Sequence, residues 1–384
     1  MTFKQSILLS TSLLIGGLLN AQTISNKKDG NYKFTVVKNL ETTEVQNQNQ
    51  SGTCWTFSSL SFFESEMIRM GKPKTNLAEM FIVRKAYVDK ADKYVRMHGA
   101  LNFAGGGAFH DVAHVIRKYG IVPESAYKGL PNGEKEINHG DMDAILKSMV
   151  ESVIKSQKPN SGWVKAVNAT LDSYLGAVPE SFEVNGKKFT PKSYAESLGL
   201  NMDNYIELTS FMHHAPYSKF VLEVPDNWAW DQVYNLPLNE MMDVMDNAIM
   251  NGYSIAWGAD VSEKGFSFKN GVAVIPDIDW NDVKKEKLDS VVNTPSKQKE
   301  ITPEMRQEAF DNYETQDDHG MHITGIVKDQ NGTKYYIVKN SWGTKNNDCD
   351  GYFYASEAFV KYKTTSIMLH KDGVKKDIAK KMGL

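Results

Sequence analysis

Three stretches of the chain repeat apolar residues at steps of three and four positions, the spacing of one helix face. The first begins at or just before Cys54 and ends before Gly71 and Pro73, which predicts a helix of about 16 residues. A second predicted helix runs from Phe109 to Tyr119, closed by Gly120. A third runs over 237–251. The first two thirds of the chain therefore carry the helical signals.

Strand signals dominate the last part of the chain. The runs 322–327 and 334–339 flank Asn331-Gly332, a dipeptide typical of a tight hairpin turn. Shorter strands are predicted at 34–37, 253–257, 351–355 and 364–369. The pattern as a whole predicts an α+β fold.

Polar stretches separate these elements. Residues 46–53 carry no apolar side chain and predict a loop, and residues 22–32 predict a loose polar leader. Residues 130–235 are mixed, loop-rich and interrupted by prolines, and residues 276–318 are charged and polar. We interpret both as insertions into one domain that spans 22–384.

The first 21 residues follow the three-part pattern of a secretory signal peptide. A short start with Lys4 precedes an apolar run over 7–19, and the small residue Ala21 suits a cleavage site. The apolar run is too short to span a bilayer comfortably. The alternative is a buried N-terminal helix. The pattern predicts export to the periplasm or the exterior, with no membrane attachment after removal of the signal.

Composition excludes several classes of protein. The 384 residues carry a net charge of −3 with mixed signs, which does not favour a nucleic-acid partner. Two cysteines can form neither a disulfide framework nor a four-thiolate zinc site. We therefore expect a globular protein with at most one disulfide.

Candidate chemistry lies at three places. Cys54 stands where the polar loop meets the first helix, and the helix dipole there would lower the pKa of a thiol and favour a nucleophile. A buried structural cysteine is the alternative. His319 and Asn340 flank the predicted hairpin and would lie near one another if its strands pair. An amide can orient an imidazole, and an imidazole can accept a thiol proton.

At these residues the sequence resembles the papain superfamily of cysteine peptidases. The segment from Gln48 to Phe57 around Cys54-Trp55 is similar to the family's nucleophile motif. Asp318-His319 and the run from Asn340 to Gly343 are similar to its other two catalytic segments. A fourth similar segment joins Gly106-Gly107 to the helix 109–119. The resemblance covers about residues 35–130 and 235–370.

The resemblance implies a role for each matching residue. Cys54 would be the nucleophile, His319 the general base and acid, and Asn340 the residue that orients His319. Gln48 and the Cys54 backbone N–H would form the oxyanion hole. Such a donor is typically worth about 3 kcal/mol.

Three further residues and the fold follow from the same resemblance. Trp342 would shield the Asn340–His319 bond from water, and Gly106 and Gly107 would bind the backbone of an extended peptide substrate. The implied fold is papain-like. A helical half and a β-barrel half would enclose the active-site cleft.

Other histidines and the second cysteine are weaker candidates. His322 lies three residues after His319 and would face the opposite side of the strand. His110 and His114 could share a metal, but a partly packed helix face explains them as well, and the His213-His214 pair gives no clear signal. Cys349 is interpreted as a free thiol. We expect no metal and no cofactor.

Within the superfamily, the sequence resembles the bleomycin hydrolase and bacterial aminopeptidase C branch. Only 26 residues separate Ala21 from Gln48, too few for a helical prodomain, and 265 positions separate Cys54 from His319. In that branch the C-terminal tail occupies part of the cleft, and its terminal carboxylate faces the free amine of the substrate, which restricts cleavage to N-terminal residues. Here the corresponding tail, 371–384, predicts either such a plug or a solvated helix.

The resemblance implies a cysteine aminopeptidase that acts on peptides, and the signal-peptide pattern of residues 1–21 predicts its export. A papain-like endopeptidase, a thiol acyltransferase or another amide hydrolase could use the same residues. A non-catalytic binding protein is opposed by the intact set of Gln48, Cys54, His319 and Asn340. The branch includes ring-shaped hexamers, so a homo-oligomer stays open.

Overall fold

The computed structural model describes residues 23–131, 133–156 and 158–384. The predicted signal peptide, 1–21, lies outside these residues. Within them, no helix is both long enough and apolar enough to cross a bilayer.

Eleven α-helices lie in the described part of the chain. They are α1 (Cys54–Arg69), α2 (Glu79–Arg96), α3 (Phe109–Tyr119), α4 (Gly140–Lys155), α5 (Gly162–Leu175), α6 (Pro191–Leu198), α7 (Leu238–Met250), α8 (Leu288–Val292), α9 (Pro303–Asp311), α10 (Glu357–Lys363) and α11 (Lys376–Met382). The helices predicted to start near Cys54 and to span 109–119 and 237–251 are confirmed as α1, α3 and α7.

Fourteen strands accompany the helices in the same residues. They are β1 (Thr23–Ser25), β2 (Lys33–Asn39), β3 (Phe182–Val184), β4 (Lys187–Phe189), β5 (Tyr205–Thr209), β6 (Lys219–Val221), β7 (Gln232–Asn235), β8 (Ile255–Ala259), β9 (Phe266–Ser267), β10 (Val272–Ala273), β11 (His319–Lys328), β12 (Lys334–Lys339), β13 (Tyr352–Ser356) and β14 (Thr364–His370).

Twelve of the strands form one sheet with the order β6-β7-β5-β14-β8-β11-β12-β13-β10-β9, and β2 joins it through β11. The predicted hairpin is confirmed, because β11 and β12 pair antiparallel with Lys328 opposite Lys334. Gly332 in its turn has a φ of 84°, a conformation that favours glycine. The described end strands β6 and β9 do not pair, and the predicted β-barrel half is not confirmed.

A helical core surrounds α1. Buried side chains of α1 to α6 form one apolar cluster, which includes Phe62 and Phe63 of α1. Ala256 of β8 and Met368 of β14 complete this cluster from the sheet side. Helix α1 is thus nearly enclosed, and its position between the helices and the sheet fixes where its N-terminal residue lies.

A second core lies on the other face of the sheet. Helices α7 and α10 pack there on β8, β11 and β14, around the buried Trp257. Ile378 and Met382 of α11 belong to the same cluster. The tail 371–384 is therefore a helix packed on α7 and the sheet, and none of its residues lines the cleft that contains Cys54.

Segments predicted as loose are more regular than their composition indicates. Strand β1 lies in the predicted polar leader and pairs with β2, and the leader residues Asn26 and Tyr32 are fully buried. The region 130–235 holds α4, α5 and α6, and its strand β5 pairs with β14 of the main sheet. The sequence did not predict these elements, because the prolines indicate loops and the apolar faces of the elements pack against distant parts of the chain.

Candidate active site

Cys54 is the first residue of α1 and follows a loop that the sheet holds in place. Gln48 N donates to Ser341 O at 2.8 Å, which ties this loop to the chain just after β12. The Cys54 side chain is partly exposed and lines a cleft of about 510 Å³ between α1, α3 and the start of β11. Helix geometry leaves the backbone N–H of such a first residue without an intrahelical partner.

His319 begins β11 and lines the same cleft. The next residue, Gly320, allows a close approach of this strand to α1. A Cβ there would lie 2.7 Å from Ser58 Oγ and 3.3 Å from Trp55 Cα. A side chain at position 320 would therefore push His319 away from the end of α1 that carries Cys54.

Asn340 holds the His319 ring from the far side. His319 Nε2 lies 2.7 Å from Asn340 Oδ1, and both side chains are buried. Ser341 N donates to the same Oδ1 at 2.8 Å, which fixes this oxygen as an acceptor. The His319 proton then resides on Nε2, and Nδ1 is left to accept a proton.

Trp342 covers this pair. Its ring stacks on His319 with 4.7 Å between centroids and 26° between planes. The indole is itself packed edge-on by Phe266 and Phe268. An aromatic cover of this kind limits the access of water to the His319–Asn340 hydrogen bond.

Burial is the largest cause of the pKa shifts of both Cys54 and His319. It raises the pKa of Cys54 to about 12, although hydrogen bonds from the Gly320 and Trp55 backbones act in the opposite direction. Burial also lowers the pKa of His319, against the effects of Asn340 and Asp318. Desolvation of the thiol opposes the lowering of its pKa that the sequence predicts from the helix dipole at the start of α1. Burial therefore favours the uncharged forms of both the Cys54 thiol and the His319 imidazole.

Gln48 is buried beside this site without lining the cleft. Its Oε1 accepts from Ser341 Oγ at 2.6 Å, and its Nε2 donates to Ser51 O at 2.9 Å. One amide proton of Gln48 remains for another acceptor. Its place in an oxyanion hole stays a prediction.

The two glycines predicted to bind substrate differ in position. Gly107 lines the cleft, and a Cβ there would lie 2.9 Å from the Trp55 ring. Gly106 does not line it. Its carbonyl accepts from Lys90 Nζ, and the Asp226 carboxylate occupies the place of a Cβ. Of the two, Gly107 alone lines the cleft, and substrate binding by either glycine stays a prediction.

The other histidines have separate partners. His322 faces away from the cleft, with Nδ1 2.9 Å from Ser61 Oγ, and burial lowers its pKa well below the ordinary value. His110 pairs with Glu207 at 3.0 Å and His114 with Asp231 at 2.8 Å. Each of these two histidines thus contacts a different carboxylate through one ring nitrogen.

One group in the described residues has the spacing of a metal site. His213, His214 and Glu223 place their ligand atoms within 4.8 Å of one another. Both imidazoles already contact the Glu223 carboxylate, at 3.2 and 2.8 Å. These hydrogen bonds explain the cluster without a metal.

Cys349, the second cysteine, is free and partly buried. Its Sγ contacts the carbonyl of Asn26, and burial raises its pKa to about 12. Cys54 is free as well, so no disulfide joins the two. Only Cys54 lines the cleft.

Three acidic residues of the cleft were not singled out from the sequence as site residues. Glu207, Asp226 and Asp317 line it with Cys54 and His319. Asp317 stands two positions before His319, so the sequence could have predicted that it lies near the site. Glu207 and Asp226 come from the region interpreted as an insertion, and only the tertiary fold reveals them.

Known proteins resemble this chain over most of its length. Aminopeptidase C from Streptococcus thermophilus is 23% identical over 93% of this chain and 86% of its own. Aminopeptidase C from Lactococcus lactis subsp. cremoris is 26% identical over 85% and 80%. The crystal structure of PepW from Lactobacillus rhamnosis matches the fold with a TM-score of 0.71, at 21% identity, over 91% and 84%.

A comparison with family models shows the family to which the chain belongs. The model of the Peptidase C1-like family matches residues 7–158 and 180–383, which is most of the chain. The structural match to PepW shows the fold expected from the papain resemblance. The protein therefore belongs to the Peptidase C1-like family of the papain superfamily.

Proposed function

We propose that the protein is a cysteine aminopeptidase in which Cys54, His319 and Asn340 act as nucleophile, general base and positioning residue. The observation that carries the proposal is the 2.7 Å contact between His319 Nε2 and Asn340 Oδ1, beside the cleft that contains Cys54. Family membership and relatives named aminopeptidase C support the reaction class.

The first half of the reaction forms a thioester. Cys54 Sγ attacks the scissile carbonyl carbon while its proton passes to His319 Nδ1. Transfer at the moment of attack suits a thiol whose pKa is raised to about 12 by burial. The oxyanion would be bound by the Cys54 backbone N–H, with Gln48 as the second donor. His319 then protonates the leaving amine, and the C–N bond breaks.

The second half releases the acid product. A water molecule gives a proton to His319 and attacks the thioester carbon, and Cys54 leaves with that proton restored to sulfur. Asn340 holds the ring in one tautomer throughout, so the same Nδ1 serves both halves.

Replacement of the nucleophile tests this proposal. Cys54→Ala should lower kcat for an aminoacyl fluorogenic amide by at least about 10⁴-fold, with the circular dichroism spectrum unchanged. Cys349→Ser is the matched control, because it removes the other free thiol outside the cleft. Turnover by Cys54→Ala at the wild-type rate would contradict the assignment.

Export belongs to the same proposal. Residues 1–21 have the pattern of a signal peptide, which supports removal after Ala21 and action in the periplasm or outside the cell. N-terminal sequencing of the protein from fractionated cells should begin at Gln22. An intact Met1 on the protein recovered from the cytoplasm would contradict export.

A further inference from the structure

His319 is the first residue of β11, so it lies at one end of a strand pairing. It pairs with Ala259, the last residue of β8, and residues 314–318 before it belong to no helix or strand. The ends of strands open more readily than their middles, because few hydrogen bonds hold them. The position of His319 therefore depends on what holds the segment 314–318.

One buried carboxylate reaches this segment from the end of β8. Asp260 directly follows Ala259 and is only 1% exposed. Its Oδ2 accepts a hydrogen bond from Gln316 N at 2.9 Å. This contact continues the attachment between β8 and β11 beyond their last backbone pair, to a residue three positions before His319.

The other oxygen of Asp260 is fixed as well. Oδ1 accepts from Ser262 N at 2.7 Å and from Ser262 Oγ at 2.6 Å. A buried carboxylate needs donors at both oxygens, because the loss of its hydration is costly. The side chain is thereby held in one orientation, with Oδ2 directed at the backbone of Gln316.

Two further contacts hold the same segment. Lys363, the last residue of α10, is 2% exposed, and its Nζ donates to Glu314 O at 2.6 Å. The exposed Asp318 accepts from Val261 N at 3.1 Å. The segment is thus attached at 314, 316 and 318, and Asp260 supplies the contact between the other two.

The contact with Asn340 does not replace this attachment. Asn340 fixes the rotation of the imidazole through Nε2, whereas the backbone that leads into His319 determines where the ring as a whole lies. A displacement of a reacting group by about 1 Å can lower a rate by about 100-fold. Asp260 does not line the cleft, so its effect on the reaction passes through the residues that it holds.

We propose that Asp260 is a positioning residue, which holds the segment 314–318 through Gln316 N and so keeps the His319 imidazole within reach of Cys54 Sγ. This inference rests on the proposed function, in which His319 accepts the thiol proton. Asp260 itself contacts neither the substrate nor the reacting atoms.

An isosteric substitution tests this role. Asp260→Asn keeps the shape but has one acceptor oxygen, so its amide N–H groups must face either Gln316 N or Ser262 N, which are both donors. With a leucyl aminocoumarin amide as substrate, kcat should fall about tenfold or more, while KM changes by less than about twofold.

Asp279→Asn is the matched control. The exposed Asp279 also accepts from the backbone N–H two residues later, at 2.8 Å from Asn281 N, and it lies outside the cleft. The same chemical change there should leave kcat and KM at the wild-type values.

The reactivity of the thiol gives a second measurement that needs no peptidase activity. The variants and their parent are made with Cys349→Ser, which leaves Cys54 as the only thiol. Iodoacetamide at pH 7 should alkylate Asp260→Asn about tenfold more slowly than the parent, because a displaced His319 accepts the thiol proton less well. A general loosening of the fold would instead expose the thiol further. Asp279→Asn should react at the parent rate.

Circular dichroism and urea denaturation show whether the variants are folded. If Asp260→Asn does not fold, Asp260→Glu takes its place in the same assays with the same expected losses. Its longer side chain moves the carboxylate by about 1.5 Å, the length of one added bond, and so displaces Gln316.

The outcomes separate this inference from the function on which it rests. Wild-type kcat and an unchanged alkylation rate in the folded Asp260 variant would overturn it. A lower kcat with an unchanged alkylation rate would also overturn it, because Asp260 would then not act on the pair of Cys54 and His319. If the wild type hydrolyses no aminoacyl amide, the proposed function fails, and the alkylation rates alone decide the role of Asp260.

Discussion

At the scale of single residues, the protonation of the candidate site depends on burial and one hydrogen bond. Desolvation lowers the pKa of His319, and the contact with Asn340 raises it in part. Asn340 therefore has two effects on His319: it fixes the ring, and it sets how readily the ring holds a proton.

Replacement of Asn340 separates these effects. Asn340→Ala should lower kcat about tenfold or more because the imidazole loses its orientation. The wild-type acid limb of kcat/KM should lie below pH 6.5, since protonated His319 cannot accept the thiol proton and its pKa is lowered. Loss of the Asn340 bond should shift this limb to still lower pH. The measurement is kcat/KM from pH 4 to 8.

A conservative variant provides the control. Asn340→Asp keeps an oxygen acceptor and adds a negative charge, so part of kcat should return and the limb should shift to higher pH. Limbs at the same pH in all three proteins would contradict the role assigned to Asn340.

At the scale of secondary-structure elements, the sequence predicted those elements whose hydrophobic pattern and end signals are adjacent in the chain. Helix α1 runs from Cys54 to Arg69 as predicted, because its apolar repeat and its terminating Gly71 are adjacent in sequence. The β11–β12 hairpin was readable for the same reason. Helix α2 and strand β5 were not predicted. Strand β5 pairs with β14, about 160 positions away, and short-range patterns carry no record of such a partner.

Helix α9 is held to the sheet side by one buried arginine. Arg306 is 1% exposed, and its Nε donates to Ser210 O at 2.6 Å and its Nη1 to Lys361 O at 3.0 Å. These carbonyls belong to chain segments far apart in sequence. The charged polar composition of 276–318 gave no indication that the segment is anchored in this way.

Truncation of this side chain should destabilise the whole fold. Arg306→Ala leaves two carbonyl oxygens without their donor and opens a cavity, so the free energy of unfolding should fall by about 3 kcal/mol. Urea denaturation monitored by tryptophan fluorescence measures the change. Arg96→Ala is the control, because Arg96 forms an exposed pair with Asp92 and should cost less than about 1 kcal/mol. Equal losses in both variants would contradict the anchoring role.

At the scale of the whole molecule, the candidate site lies where the helical core and the sheet meet. The sequence could place Cys54, His319 and Asn340 because each stands in a short motif at the end of a predicted element. It could not show that the acidic residues of the cleft lie together. Glu207 and Asp226 come from the region 130–235 and Asp317 from the residues just before β11, and they share a cleft only after β5, β14, β8 and β11 pair.

Behind the site, the buried side chains of Glu64 and Lys339 lie where the helical core meets the sheet. Glu64 of α1 accepts from Leu77 N at 2.7 Å and from Thr43 Oγ1, and Lys339 of β12 donates to Thr43 Oγ1 at 3.1 Å. Burial raises the pKa of Glu64 to about 7, although Lys339 acts against this. Burial lowers the pKa of Lys339 to about 8. The junction of the two cores is therefore sensitive to pH.

The sign of this sensitivity follows from proton linkage. The folded protein binds the Glu64 proton more tightly than the unfolded chain, where the pKa is near 4.5. This contribution to stability is complete below about pH 4.5 and is lost as the pH rises through 7. Between pH 5 and 8, wild-type stability should fall relative to Glu64→Gln by an amount on the order of 2 kcal/mol.

Urea denaturation at pH 5, 6, 7 and 8 measures this difference. Asp317 and His322 titrate in the same direction in both proteins and cancel in the comparison. Glu79 and Lys339 face Glu64 across the junction, and loss of the Glu64 charge lowers the pKa of both groups, so the difference reports Glu64 together with these two neighbours. Glu196→Gln, an exposed substitution on α6, should follow the wild type at every pH. If Glu64→Gln also parallels the wild type, the Glu64 carboxyl holds no extra proton in the folded state, and the junction behind the site is not sensitive to pH through this group.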